Sequence, residues 1–439
     1  MARCVPSTLS PAGCGFLLVF AFLVVWPAHS FAQVVETGSA PAVLGTQQNE
    51  GVGGVKVGES TYLRANVAAE AGYDSNVFYN DENRVESATL RITPAFELTN
   101  STRENARPPL HFSLGAQLLY REYLTDSPDV RAQRAFNPVI MGLLSYAGAK
   151  SSVTVSDQFM RVEDPPYEQG GNSLIRDLNQ AMAELAMAPG GGRLRFTLRY
   201  VNTLDVFENP ELDYADRLRH EGVIDAAWSW FPKTALFLQL GAGYTDYLNN
   251  NEAQTLGKQN SVPYYAQAGL RGLITPKLSA SLGAGYADAI YDGDGVDPNG
   301  LSNLLVSASL TYSPVSLTQL GLSYSHEFRD SPVLGNYYDL DAVGLSLAQQ
   351  IGPFSLGAKG NYELRRYRGF QAGQPVSRTD HVFVTSVQAD YFLQKWLYAG
   401  VGYAHQISRS SIGDTTVNAT TPSVDFTKHL ILGRLGVTY

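Results

Sequence analysis

The sequence predicts an all-β chain, a transmembrane antiparallel up-and-down β-barrel of outer-membrane type with about 18 strands, between roughly 16 and 18. Three observations predict it. Long segments alternate apolar and polar residues, tight turns recur about every 40 residues, and the chain finishes on an alternating segment that ends in tyrosine. The clearest unit is Phe231–Lys277. Leu236, Leu238, Leu240, Ala242 and Tyr244 share one face, and Phe237, Gln239, Gly241, Gly243 and Thr245 share the other. After a polar loop the chain returns through Tyr264, Ala266, Ala268 and Leu270, then turns at Thr275-Pro276-Lys277.

Turn residues mark the other units near Arg103–Pro108, Ala147–Lys150, Pro189–Gly192, Pro232-Lys233, Ser313-Pro314, Gly352-Pro353 and Gln394-Lys395. With Pro276-Lys277 they divide the chain into nine hairpins. Each interval holds two alternating segments of roughly 10 to 15 residues, long enough for a tilted strand to cross a bilayer.

From the start, Arg3 precedes the apolar run Phe16–Val25, and Ser30-Phe31-Ala32 places small residues where a signal peptidase cuts. Residues 1–32 are therefore expected to be a leader cleaved after Ala32, and Cys4 and Cys14 leave with it. Thiol chemistry is then not expected in the mature chain. Residues 33–60 have no period and read as a short periplasmic tail, with the barrel at 61–439.

Alternation begins at Tyr62, with Leu63, Ala65, Val67, Ala69 and Ala71 opposed to Arg64, Asn66, Ala68 and Glu70. The return strand sets Leu90, Ile92, Phe96 and Leu98 against Arg91, Thr93 and Glu97; Pro94, which lacks a ladder donor, suggests a bulge. Leu114, Ala116 and Leu118 form another outer face, as do Leu194, Phe196, Leu198 and Tyr200. Leu174–Met187 is rich in helix formers, yet the repeat places a strand there. Trp228, Trp230, Phe231 and Trp396 fit an aromatic ring at the periplasmic interface. Tyr439, Val437 and Leu435 alternate at the end and resemble the C-terminal signature that barrel assembly machinery recognises.

Composition agrees. Hydrophobic residues make up 44% of the chain and the mean hydropathy is −0.12, as expected when a lipid face is hidden in alternation. The formal net charge of −9 argues against nucleic acid as a partner. Its carboxylates gather in the long loops, among them Asp81, Glu163, Asp164, Glu208 and Asp213, where solvation or divalent cations bridging to lipopolysaccharide would hold them. Asp292–Asp297 departs from the calcium-loop pattern at its fifth and sixth positions, and no metal or other cofactor is expected. Nor is an enzyme. Ser325, His326 and Glu327 alternate faces and cannot meet as a triad, and His111, His220, His381, His405 and His429 are scattered singly.

The first strand and loop read Tyr73-Asp74-Ser75-Asn76-Val77-Phe78 after Gly72, and this motif resembles the opening of the outer-membrane "putative beta-barrel porin 2" family. Members are associated with polysaccharide export, so the resemblance implies a conduit in the outer membrane of a Gram-negative bacterium. It also implies periplasmic and inner-membrane export proteins as partners. By itself the motif can be a loop tied by its own Asp, Ser and Asn.

Charged residues on the non-lipid face must look into a wet interior, since a lipid-facing cation at mid-depth costs roughly 2 to 4 kcal/mol. Arg193, Arg195, Arg199, Arg64, Arg91, Arg219, Arg271, Lys359 and Arg365 are the candidate solute contacts. Arg193, Arg195 and Arg199 lead because no carboxylate neighbours them on their own strand. The expectation is a channel passing an extracellular or capsular polysaccharide outward; the alternative is a passive porin for small hydrophilic or anionic solutes.

Overall fold

A computed structural model describes residues 54–101, 108–168, 173–255, 258–292, 304–331, 337–371, 374–411 and 424–439. The leader and its cleavage site lie outside the described residues, as do most of the tail and all but Asp292 of the Asp292–Asp297 loop.

A two-residue strand β1 (Val55–Lys56) doubles back on the first barrel strand, pairing Val55 with Leu63, so the end of the tail is ordered against the wall. The barrel strands are β2 (Tyr62–Asp74), β3 (Ser87–Thr99), β4 (Leu110–Leu124), β5 (Ala135–Ala147), β6 (Ser151–Asp164), β7 (Leu174–Met187), β8 (Leu194–Phe207), β9 (Arg217–Phe231) and β10 (Thr234–Tyr247). They continue with β11 (Ser261–Thr275), β12 (Leu278–Tyr291), β13 (Leu304–Tyr312), β14 (Thr318–Asp330), β15 (Tyr337–Ile351), β16 (Phe354–Gln371), β17 (Gln374–Gln394), β18 (Leu397–Ser410) and β19 (Phe426–Thr438). Two short helices, α1 (Pro128–Ala132) and α2 (Asn250–Thr255), sit in loops.

Each barrel strand pairs antiparallel with its neighbours in sequence, and β19 pairs with β2 from Leu430↔Asp74 to Thr438↔Asn66. The 18 strands β2–β19 thus form a closed ring with no open edge. The predicted turns all fall between strands at one rim, where β2 starts and β19 ends; the first lies largely outside the described residues. Most connections at the other rim are longer loops, the two-residue β16–β17 link excepted. Leu174–Met187 is a strand, because ring pairing on both sides outweighs helix propensity.

Pro94 needs no bulge. Ile92 pairs with Tyr120 and Ala95 with Gln117 in one unbroken register, and only the rungs at Thr93 and Pro94 toward β4 are absent. The proline keeps its place opposite Val67 on the other side.

Alternation sorts the side chains as predicted. Leu282, Leu345 and Val401 are 58%, 60% and 61% exposed on the outside, while Gln239, Gln267 and Glu363 are buried on the inside. On the inner wall two tyrosine rings lie over directly paired glycines. A Cβ on Gly241 would come within 2.2 Å of the Tyr265 ring, and one on Gly436 within 2.1 Å of the Tyr398 ring. Glycine there lets an aromatic face lie flat against the sheet.

Trp228, Trp230 and Phe231 stack in series on the outside near the short-turn rim, with centroids 6.4 and 5.1 Å apart. Nearer the long-loop rim, outer tyrosines share their hydroxyls with a polar group beside them. Tyr200 meets His220 Nδ1 at 2.7 Å, Tyr362 meets His381 Nδ1 at 2.7 Å, Tyr286 donates to Asp288 at 2.8 Å and Tyr324 donates to Asp341 at 2.9 Å. Of the histidines that look scattered in sequence, His220, His381, His405 and His429 gather in this belt, and the His405 and His429 rings stack at 4.5 Å, whereas His111 stands at the short-turn rim beside Asn100. His326 belongs to it through Asp341 at 2.8 Å, whereas Glu327 faces inward to Arg329. Below this belt the apolar coat is broken at Asp157, which lies opposite Gly142 on β5 and accepts from Asn179 at 3.3 Å, roughly 14 Å above the short-turn end of its strand.

Candidate functional site

The long-loop mouth is packed from within. Tyr79, Val130, Tyr167, Glu168, Leu212, Lys258 and Ser331 are all at most 5% exposed and come from six different loops. Burial of this kind is uncommon for connecting segments, which ordinarily run over the surface.

The centre of this packing is a strap, Pro165–Glu168, between β6 and β7. It reaches β16 and β17, which stand almost opposite in the ring, and β19, five strands away from β6. Tyr167 lies between the Arg365 guanidinium, 4.7 Å from its centroid, and the Phe426 ring at 5.7 Å. Arg378 donates to the carbonyls of Tyr167 and Glu168, the latter at 2.7 Å, and holds Asp380 with the rest of its fork. The Glu168 carboxylate accepts from Ser331 Oγ at 2.6 Å and from the Tyr367 hydroxyl at 3.3 Å. Lys258 Nζ, fully buried, donates to the Ser331 carbonyl at 2.6 Å. Burial pulls the Lys258 ammonium down to about 7, opposed by the nearby Glu168 charge.

A second crossing joins β9 to β14 through Arg219 and Asp330 at 3.2 Å. Around it the inner wall is a lattice of ion pairs: Arg176 with Asp164 and Asp205, Arg217 with Asp205, Arg121 with Glu163, and Arg434 with Asp390. Glu163 and Asp164 are therefore wall residues bonded to arginine, not solvated loop charges.

Of the predicted contacts, Arg64 pairs with Glu97 at 3.2 Å, Arg271 with Asp225 at 2.6 Å and Arg365 with Glu363 at 2.6 Å. Arg91, 2% exposed, stands opposite Glu70. Arg199 meets Glu184 at 2.8 Å, directly across the ladder on β7, so reading along its own strand misses its partner. Arg193 sits in the β7–β8 turn at the short-turn rim, outside the strand to which alternation assigned it. Arg195 and Lys359 are exposed. The predicted set is thus spread around the wall and does not converge on one point. Tyr167, Glu168, Lys258, Ser331 and Arg378 do converge, and the sequence reading passed over them. The stiff Pro165-Pro166 pair ahead of Tyr167 is the visible sign of that strap.

The motif after Gly72 has a definite place. Asp74 accepts from the Asn76 amide at 3.0 Å, from the Tyr123 hydroxyl at 2.9 Å and lies 3.0 Å from Lys428 Nζ. Ser75 and His429 exchange two bonds, and Asn76 Nδ2 donates to the Thr427 carbonyl at 3.0 Å. Tyr73 and Phe78 flank this clasp, and Val77 is buried against Tyr123 and Val130. The motif ties the first loop to the last strand, across the seam where the ring closes. Leu435, Val437 and Tyr439 lie on the outer face of the same seam, and the backbones of Tyr439 and Ala65 bond reciprocally.

With this geometry in place, the family model described as "Putative beta-barrel porin 2" matches residues 51–428. The chain belongs to that family. It is accordingly an outer-membrane β-barrel of the porin kind. No curated protein matches the sequence. Among solved structures, OccAB3 of Acinetobacter baumannii is 9% identical over 86% of this chain and 99% of its own, with a TM-score of 0.43. The siderophore receptor PiuA of the same organism is 10% identical over 88% and 82%, at 0.44. The siderophore receptor PirA of Pseudomonas aeruginosa is 10% identical over 86% and 80%, at 0.39. Likenesses this distant carry no functional argument.

Proposed function

We propose that the chain is a gated outer-membrane conduit for an extracellular or capsular polysaccharide. The observation that carries this reading is the strap held by Arg378, Tyr367 and Ser331 across the bore. A passive porin works through a standing water path. A mouth packed by six loops suits a channel that opens when cargo arrives. Below the strap the wall offers what a sugar chain can use: flat Tyr265 and Tyr398 rings, and fixed arginine–carboxylate pairs that give and take hydrogen bonds. The exposed cations Arg193, Arg195 and Lys359 give the short-turn side a preference for acidic cargo.

In this reading the leader directs the chain out of the cytoplasm, the assembly machinery reads Tyr439, Val437 and Leu435, and export proteins dock below the short-turn rim. The channel does no covalent chemistry and uses no cofactor. A clean deletion, scored for surface polysaccharide and for uptake of small hydrophilic solutes, tests it. Loss of surface polymer with unchanged uptake is expected. Normal polymer with slowed uptake overturns export in favour of a passive porin, the role the exposed cations would also serve.

A further inference from the structure

The barrel wall has a notch. β5 and β6 pair from Ala147↔Ser152 up to Val139↔Met160 and then part, although β5 begins at Ala135 and β6 runs to Asp164. The next rung would set Pro138 against Arg161, and proline has no N–H to give it. A cavity of about 400 Å³ occupies the gap, within the range of small-molecule sites, roughly 300–1,000 Å³. At about 2.4 Å of rise per tilted residue, it starts roughly 20 Å above the short-turn end of β5. That is the far edge of an apolar band about 25 Å tall.

Its lining has three parts. Tyr120, Phe136 and Ile175 supply apolar surface, and Phe136 is 57% exposed on the outside. At the back the buried Arg121–Glu163 pair, 2.6 Å, closes the wall where backbone bonds are missing, and Glu163, with the Ser173 hydroxyl beside it, keeps its Oε2 buried without a geometric hydrogen bond among the described residues. Two guanidiniums stand at the side. Arg161 is committed to Asp177 and Glu208, while the Arg134 side chain is exposed and makes no ion pair or hydrogen bond among the described residues. The site therefore asks for an anionic group at Arg134, a hydroxyl or amide donor at Glu163 and acyl chains along Phe136.

We infer that this notch binds the headgroup of a phosphorylated glycolipid of the outer leaflet. Phosphate sits on Arg134, a sugar hydroxyl or amide donates to Glu163, and the acyl chains run down the outer face past Phe136 and Ile140. This site is separate from the bore and does not depend on what the bore carries.

The test is native mass spectrometry of the full barrel in detergent, titrated with purified lipid A. Wild type is expected to retain one lipid A per barrel. Arg134→Ala and Phe136→Ala, both at exposed positions, are expected to weaken binding at least fivefold while keeping the heat-modifiable electrophoretic shift of a folded barrel. Equal binding by wild type and both variants overturns the site. Displacement by an equal concentration of glucosamine 1-phosphate overturns the lipid assignment in favour of a soluble sugar phosphate. Equal binding of phosphatidylglycerol overturns the sugar contact at Glu163.

Discussion

Lys428 Nζ lies 3.0 Å from Asp74 Oδ2 and 3.8 Å from the centroid of the Tyr79 ring, so one buried ammonium joins the last strand to the first loop. Removing one partner strands the other charge in a dry seam. Asp74→Asn should lower barrel stability by about 3 to 5 kcal/mol, read as the urea midpoint in lipid vesicles. The double variant Asp74→Leu with Lys428→Met should recover much of that loss. An additive loss would show that the two groups act independently.

The strap depends on Tyr167 being held between Arg365 and Phe426. Tyr167→Ala removes that anchor without touching the ring ladder. In planar bilayers the open-to-closed ratio should rise at least about tenfold, equivalent to about 1.4 kcal/mol. A cysteine pair at Glu168 and Ser331 should do the reverse, and reductant should restore opening. Unchanged conductance in both experiments would remove the strap from gating.

Lys258 gives the mouth a pH dependence. Its docked value of about 7 lies below the ordinary 10.5, so docking favours the neutral amine. The docked loop is most stable above the free-lysine value. It weakens as pH falls from about 10.5 to about 7, by up to about tenfold per unit, and changes little below that. Open probability should rise as pH drops across this window, and Lys258→Met should flatten the profile. A wild-type profile that falls in the same direction would contradict the burial of the ammonium.

Asp157 stands on the lipid face at mid-depth, and among the described residues its partner is Asn179. Asp157→Leu should leave stability unchanged or raise it by about 1 to 2 kcal/mol in vesicle unfolding, because a carboxylate facing hydrocarbon is costly. A clear loss of stability would mean that this face is covered by something other than lipid.

The fold is legible because membrane spanning imposes one rule on every strand. Leu236 to Tyr244 show the rule plainly, and turn residues such as Pro276-Lys277 count the hairpins. The mouth is not legible in this way, since its contacts join residues far apart in the chain. Tyr167 meets Phe426, and Lys258 meets Ser331, with no period to connect them. Arg199 shows the same limit at shorter range. Its partner Glu184 lies across one rung, where only knowledge of the register could find it. The Asp74–Asn76 motif shows its local turn in sequence, but its bonds to Thr427 and His429 need the closed ring.

Because the ring holds an even number of strands, Tyr439 returns to the rim where Ala65 begins, and the two backbones bond at 2.8 and 2.9 Å. Gain or loss of a single crossing would carry the last residue to the opposite side of the bilayer and break that lock. Widening or narrowing this pore while keeping that lock therefore takes whole hairpins, the same unit of about 40 residues on which the sequence is built.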